Sequence, residues 1–579
     1  MFAFRYLRPV SSKIWFSIPQ QTARFRLNLL SPPLQRSAHF HSRNMQNSPK
    51  KPDHTAKRRK KSKADRAKNS GFDEVLQADI DKLLRKNQPE NEVRADSPDE
   101  TDTPALPETF TEIEVKVAEL SSTGDGLALS ESGDHVYLVP FTVPGDKVLV
   151  KIVRHFPQLS YSLTDFLKVI EPGPQRNDAG IGCQYFGKCS GCQLQMMSYE
   201  DQLAHKKRIV EKAYANFSGL IPELIPAIGD TFPSPMQYGY RTKLTPHFAA
   251  PGGSSRGKKK APAGPITEVP AIGFTYKNRR TDLDIEDCPL GTDIVRRGLK
   301  SERKKVAENI HSYKKGATLL MRESTLRTPK DGADITIPQP TLPENEPGKE
   351  SGDVIRTEHD KYTEEKHCVT DSNATSVEYI DNYVFTNKAG AFFQNNNSIL
   401  SGFTEYIRQH ALPKNNQDDP KPIKYLLDAY SGSGLFTITL SPLFRSSLGV
   451  DVAEQSIVSA RDNARANSLP NTGFAAADAA TLFKDVPYPP EQTLLVIDPP
   501  RKGCSDDFLS QLLSFGPRRV VYVSCNVHTQ ARDVAVMVQG DAQKNIRYEI
   551  ESIRGFDFFP QTGHVEGVAI LNKTTFPQA

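Results

Sequence analysis

The chain is 579 residues long and 37% hydrophobic, with 43 Pro and 36 Gly, so it has room for several domains and part of it reads as linker. No uninterrupted apolar run approaches the ~20 residues of a membrane-spanning helix, and a soluble protein with no membrane partner is expected. The net charge of +5 belongs to the first 70 residues, which hold 17 Lys/Arg against 2 Asp/Glu; the remaining 57 basic and 67 acidic residues leave an acidic body, so nucleic-acid binding has to come from sites and not from bulk charge.

Residues 1–52 contain six Arg and no acidic residue, the composition of a mitochondrial presequence, expected over 1–45; a disordered basic tail is the plainer alternative. KRRKK (Lys57 to Lys61) reads as a nuclear import signal or a solvated basic arm. Initiation at Met45 would omit the presequence and expose that second signal, giving a nuclear or cytosolic form. Residues 46–109 are charged and Pro-rich, basic and then acidic, and read as disordered linker.

From Phe110 the pattern becomes that of short strands. EIEVKVAEL places Ile113, Val115 and Val117 on one side, and HVYLVP and KVLVKIV follow after Gly-Asp turns, which predicts a small β-barrel over 110–172. A central α/β subdomain over 173–375 carries a cysteine cluster and two flexible insertions, 251–264 and 327–375. Within it, GYRTKLTPHF (Gly239 to Phe248) alternates basic and aromatic residues, as an RNA-contacting strand or an ordinary exposed strand would. Over 376–579 the apolar runs YLLD, SLGVD, TLLVID and RRVVYVSC alternate with helix-like stretches, the signature of a doubly wound parallel sheet.

The ends of those runs carry the chemistry. DAYSGSGLFT (Asp428 to Thr437) puts Gly432 and Gly434 in a tight turn before a helix, which alone is an ordinary strand-to-helix turn. The next strand ends at Asp451, about 20 residues on, where a carboxylate binds ribose hydroxyls or caps the following helix with Glu454 as its capping-box partner. TLLVIDPPRKG sets Asp498 at a strand end closed by two prolines. VVYVSCNVHTQARD ends its strand at Cys525, either a small core thiol or a crevice-facing nucleophile. In FDFFPQTGHVEGVAIL, Glu566 stands at the mouth of an apolar strand, where a carboxylate is costly unless used or paired.

DAYSGSGLF, IDPPRKG, VSCNVHTQARD and FPQTGHVE, in that order and preceded by FFQNN (Phe392 to Asn396), resemble the successive motifs of the RNA uracil-5-methyltransferases. The resemblance implies a Rossmann-like class I methyltransferase domain with an N-terminal OB-like TRAM β-barrel, using S-adenosylmethionine. It implies Cys525 as the nucleophile that adds to uracil C6 and Glu566 as the base that removes the C5 proton. Gln394, Tyr430, Asp451 and Asp498 match the family's cofactor-binding positions, with Gly432 and Gly434 allowing close backbone approach; Asp451 stands where the family usually has a glutamate. His528 is a candidate neighbour of Cys525. Cys504 falls too late after Asp498 to be the nucleophile of a cytosine methyltransferase and reads as structural.

Cys183, Cys189 and Cys192 form a C-x5-C-x2-C cluster, with Cys288 following in DIEDCPL. Zinc, an iron–sulfur cluster and disulfides are all open to such a set, and a mitochondrial or nuclear site disfavours disulfides. FGKCSGCQ resembles the [4Fe–4S] motif of a subset of the family, which implies that cluster. Cys368, in the second insertion, reads as incidental. The likeness to fungal members implies the T-loop uridine of tRNA, position 54; the cysteine motif resembles rRNA members, so rRNA is the second substrate reading. An RNA-binding or folding module with catalysis secondary is the other class of function, and a monomer is presumed.

Overall fold

The computed structural model describes residues 71–87, 106–250, 265–342, 353–477, 482–483 and 486–577. The expected presequence, KRRKK and the insertion 251–264 lie outside them.

The first described element corrects the reading of 46–109 as disordered throughout: α1 (Gly71–Asn87) is a 17-residue helix. Its charges mask an apolar stripe, because Leu76, Ile80 and Leu83 fall on one face and pack against Leu127, Val136, Leu138 and Tyr161 of the barrel. Asp79, on the same face, accepts the Ser122 N–H at 2.5 Å and pairs with Lys212 at 3.2 Å.

The barrel is closed and five-stranded, from β1 (Glu112–Leu120), β2 (Gly126–Leu129), β3 (Val136–Val139), β4 (Lys147–Phe156) and β5 (Tyr161–Glu171), in the order β1-β2-β3-β5-β4. Period-two alternation aims Val148, Val150 and Ile152 inward onto Val115 and Val117.

After the barrel, α2 (Tyr199–Phe217) is capped by Ser198, whose hydroxyl accepts the Asp201 N–H at 3.1 Å. Next come β6 (Gly229–Phe232), β7 (Lys243–Leu244), β8 (His247–Phe248), β9 (Gly273–Thr275), β10 (Asp282–Asp284), α3 (Asp293–Glu308), β11 (Ala317–Thr318) and β12 (Met321–Pro329). The segment 327–375, read as an insertion of little periodicity, holds β13 (Val354–Glu358) and β14 (Tyr362–Val369), in a sheet of order β13-β14-β12-β7. Every position of β14 is half-buried, so the strand has no in–out alternation for a pattern search to find. Cys368 on β14 is part of the packing of this subdomain: a Cβ added at Gly298 of α3 would lie 2.2 Å from its Sγ.

The hairpin β15 (Thr375–Ile380) and β16 (Tyr383–Lys388) and helix α4 (Leu400–Ala411) lead into the main sheet. That sheet is built by β17 (Tyr425–Ala429), α5 (Leu435–Leu440), β18 (Ser446–Asp451), α6 (Glu454–Ala466), β19 (Thr472–Ala476), β20 (Thr493–Ile497), α7 (Asp506–Phe515), β21 (Arg519–Ser524), α8 (Val527–Gln539), β22 (Arg547–Phe556) and β23 (Glu566–Thr574). The order is β19-β18-β17-β20-β21-β23-β22-β6, with β17 to β21 parallel and β23 antiparallel to both its neighbours. Strands as apolar as Leu494–Ile497 and Val520–Val523 are covered on both faces by separate cores, as a parallel sheet requires. The order reverses between β17 and β20, and open α/β sheets bind ligands outside the strand ends at such a switch. Among the described residues no helix is long and apolar enough to cross a membrane.

Candidate active site

The turn after β17 is made of left-handed backbone: Tyr430 has φ 64°, Gly432 52° and Gly434 94°. A Cβ at Gly432 would meet nothing within 4 Å, so the turn opens onto free space. Asp451, at the end of β18, accepts the Gly432 N–H at 3.0 Å on one oxygen and the Ala453 N–H at 2.8 Å on the other. It therefore fixes the glycine turn; α6 begins at Glu454 with Ala453 as its N-cap and no side-chain cap, so the predicted capping box does not form. Buried polar atoms without partners face the same turn. Asp428 accepts from Thr437 N–H and Oγ1 at 2.9 and 2.6 Å through one oxygen, but its Oδ1 and the Ser431 hydroxyl have none. Burial pushes Asp428 up to about 7. Asp428 is absent from the sequence-derived site, although its place directly before the glycine turn was the signal.

Asp498 follows β20, and burial, then the charge of Asp428, pushes its carboxyl up to about 7. Gln394 is buried at 7% exposure in the segment after β16, while Phe392 beside it and Val452 beside Asp451 are 78% and 72% exposed.

Cys525 and Glu566 are brought together by strand register. Ser524 on β21 pairs with Gly567 on β23, so the thiol one residue beyond and the carboxylate one residue before meet at the same rung. Burial pushes the Cys525 thiol up to about 11, and the charges of Glu566 and Asp498 push the same way. Burial, then Asp498, raises Glu566 to about 8. Arg501 opposes both shifts; its guanidinium is the cation of this site, and sequence reasoning passed over it although it lies within IDPPRKG.

His528 does not serve Cys525. Its ring packs edge-on against Phe217 of α2 at 5.2 Å, and burial holds it at about 4, neutral. Asn526 caps α8 by accepting the His528 N–H at 3.2 Å and donates to the Arg501 carbonyl at 2.9 Å. His564 is also neutral, held at about 3 by burial and then by Arg501, Lys206 and Arg241.

The loop leading to Glu566 is braced by α2. Lys206 pairs with Asp557, both fully buried, and donates to the Phe559 carbonyl at 2.9 Å. Gln202 and Gln561 exchange two hydrogen bonds at 3.0 Å, and the Tyr240 hydroxyl donates to the Pro560 carbonyl at 3.1 Å. The basic residues of GYRTKLTPHF act in the same way. The Arg241 guanidinium lies over Phe559 at 5.3 Å, and Lys243 donates to the Gly390 and Ala391 carbonyls at 3.1 and 3.2 Å, beside FFQNN. These side chains brace the site.

Cys183, Cys189, Cys192 and Cys288 line one cavity of about 80 Å³, together with Phe186 and Arg241. Burial raises all four thiols, Cys189 to about 11. Among the described residues, however, no three His, Cys, Asp or Glu side chains are gathered as one metal ion requires. The convergence is there; single-ion spacing, as for zinc, is not.

A mainly parallel sheet with a glycine turn at its switch point, acidic residues at the next strand ends and a closed barrel in front defines an α/β methyltransferase. The solved structure of the Pyrococcus abyssi tRNA (uracil-54, C5)-methyltransferase in complex with S-adenosyl-L-homocysteine matches it with a TM-score of 0.54 over 79% of this chain and 100% of that one, at 22% identity, which shows the shared fold. The tRNA (uracil(54)-C(5))-methyltransferase of Schizosaccharomyces pombe is 44% identical over 80% of this chain and 79% of its own, and that of Saccharomyces cerevisiae 40% over 86% and 81%. No protein-family model matches. The chain belongs to the tRNA (uracil-54-C5)-methyltransferase family.

Proposed function

We propose that the protein methylates C5 of uridine 54 in the T loop of tRNA, with Cys525 as nucleophile and Glu566 as base. The observation that carries this is that strand register sets Cys525, just past β21, and Glu566, the first residue of β23, at one edge of the sheet together with Asp498. The Cys525 thiolate adds to uracil C6 as the C5–C6 double bond opens, which makes C5 a nucleophile. S-adenosylmethionine, when bound, supplies the electrophilic methyl group. Glu566 then takes the C5 proton, the double bond re-forms and the C6–S bond breaks, returning the thiolate. The unpartnered Asp428 and Ser431 atoms, the open glycine turn and Asp451, whose oxygens each keep a lone pair, fit that cofactor; Gln394, Tyr430 and Asp498 complete its surroundings.

The test uses purified protein, methyl-labelled S-adenosylmethionine and unmodified tRNA. Label is expected in 5-methyluridine for the natural sequence and not for a tRNA with cytidine at position 54. Label entering rRNA while tRNA stays unlabelled would transfer the assignment to the rRNA reading.

The five-stranded barrel is proposed as a TRAM-like RNA-binding module. The cavity lined by four cysteines is proposed to hold a [4Fe–4S] cluster, supported by four partly buried thiols that converge on one cavity with Arg241 as the cation beside them. Protein purified without oxygen should contain about four irons per chain, and Cys192→Ser should lose them. Iron-free protein from anaerobic, iron-supplied cells would end this assignment.

A further inference from the structure

The loop from Asp498 to Ser505 carries two charged groups of the site, Asp498 and Arg501, and its shape is held from outside. Gly503 donates its N–H to the Pro500 carbonyl at 2.8 Å with φ 78°, a turn suited to glycine. The next N–H, of Cys504, donates to Asp533 Oδ2 at 2.7 Å, and the same oxygen accepts the Tyr522 hydroxyl at 2.5 Å. On the other side of the turn, the Arg501 carbonyl accepts from Asn526 Nδ2 at 2.9 Å and Thr529 Oγ1 at 3.2 Å. Asn526, Thr529 and Asp533 lie on one face of α8 and its N-cap, the helix that starts just after Cys525. Asp533 is itself buried at 7% exposure and has no part in the chemistry described above.

We propose that Asp533 is a positioning residue for methyl transfer: its carboxylate latches the loop 498–505 onto α8 and so fixes the backbone from which the exposed Arg501 reaches toward Cys525 and Glu566. The inference rests on the reading of Cys525 as the nucleophile.

Two effects of removing Asp533 have opposite signs at the thiol. Deleting a nearby carboxylate removes negative charge, which by field alone makes Cys525 easier to ionise. Releasing the loop lets a positive guanidinium leave, which makes Cys525 harder to ionise. The latch therefore predicts a change in the direction that a simple charge effect forbids.

The experiment follows iodoacetamide alkylation of the Cys525 peptide against pH by mass spectrometry, in the full chain. Asp533→Ala should slow alkylation at pH 8.5 by about tenfold, the equivalent of one pKa unit, whereas Asp533→Asn, which keeps an acceptor oxygen, should stay within about twofold of the unchanged protein. Gly503→Ala would place a Cβ 2.7 Å from Asp533 Oδ2, and should slow alkylation as Asp533→Ala does, so the idea stands or falls even if the alanine variant at 533 fails to fold. Alkylation as fast as or faster than in the unchanged protein, in Asp533→Ala or in Gly503→Ala, overturns the proposal. Equal slowing in Asp533→Asn also overturns it, because the acceptor oxygen would then not be what matters. Alkylation needs no methyl transfer, so its failure is distinguishable from failure of the nucleophile assignment, which Cys525→Ala tests.

Discussion

Cys525→Ala is expected to form no 5-methyluridine in tRNA, a loss of at least about a thousandfold, the scale on which removing a nucleophile acts in enzymes built around one. Binding of tRNA and of S-adenosylmethionine should persist. Cys525 is a half-buried residue beyond the last pairing of β21, so shortening it by one sulfur removes chemistry without removing a core contact. Uracil C5 is a weak nucleophile until C6 has been attacked, so no other group of the site can take over. The environment explains why the thiol rests un-ionised. Burial comes first, then two carboxylates, and Arg501 and a backbone hydrogen bond oppose them only in part, leaving the thiol at about 11. In the free protein the thiolate fraction rises with pH, so alkylation of Cys525 should quicken steadily across pH 7 to 10. Residual 5-methyluridine above a few per cent in the alanine variant would falsify the covalent route.

Glu566→Gln has the opposite signature, a reaction that starts and does not finish. Adduct formation should be at least as fast as in the unchanged protein: above about pH 8 the substitution removes a charge that opposes the thiolate, and below it one neutral group replaces another. Without a base the C5 proton stays, the C6–S bond cannot break, and a protein–RNA complex resistant to denaturant accumulates. Turnover should fall by about 10²–10⁴, the usual weight of a general base. The pH dependence follows from the raised carboxyl. Below about 8 the free site holds Glu566 protonated and unable to accept a proton; above it the group ionises, so turnover rises through that value, and the glutamine variant lacks this limb. A variant that turns over at the native rate with no trapped complex would remove Glu566 from the role.

Where a residue's meaning is local, the sequence carried it. Asp451, Asp498 and Cys525 each end an apolar run, and strand ends in a parallel sheet share one edge, so their grouping follows from pattern; Glu566 joins them because β23 runs antiparallel and begins at that edge, which pattern alone does not show. The barrel was legible from its longer strands, since β1 and β4 alternate between buried and more exposed positions, whereas β2 and β3 are buried almost throughout. What stayed hidden depends on partners far along the chain. The helix α1 reads as a charged linker because half of its meaning is the barrel face it covers. β14 has no alternation, so only its pairing with β12 and β13 makes it a strand. His528 was misjudged because proximity in sequence to Cys525 says nothing of the direction in which the first turn of a helix points; its ring faces Phe217. The basic residues of GYRTKLTPHF find their partners in the loop at Phe559 and the carbonyls at 390 and 391, 147 or more residues later in the chain, which no local pattern reveals.

The docking of α1 also bears on who deforms when substrate arrives. The helix covers the barrel with Leu76, Ile80 and Leu83, shares Lys212 of α2 through Asp79, and reaches α8 through an ion pair of Glu74 with Arg532 at 2.7 Å. One element thereby contacts the barrel, α2 and the helix that follows Cys525, so a shift between them on substrate arrival would have to break those contacts. Unstacking and swinging out the nucleotide costs a further few kcal/mol, which a loop base meets more easily than a paired one.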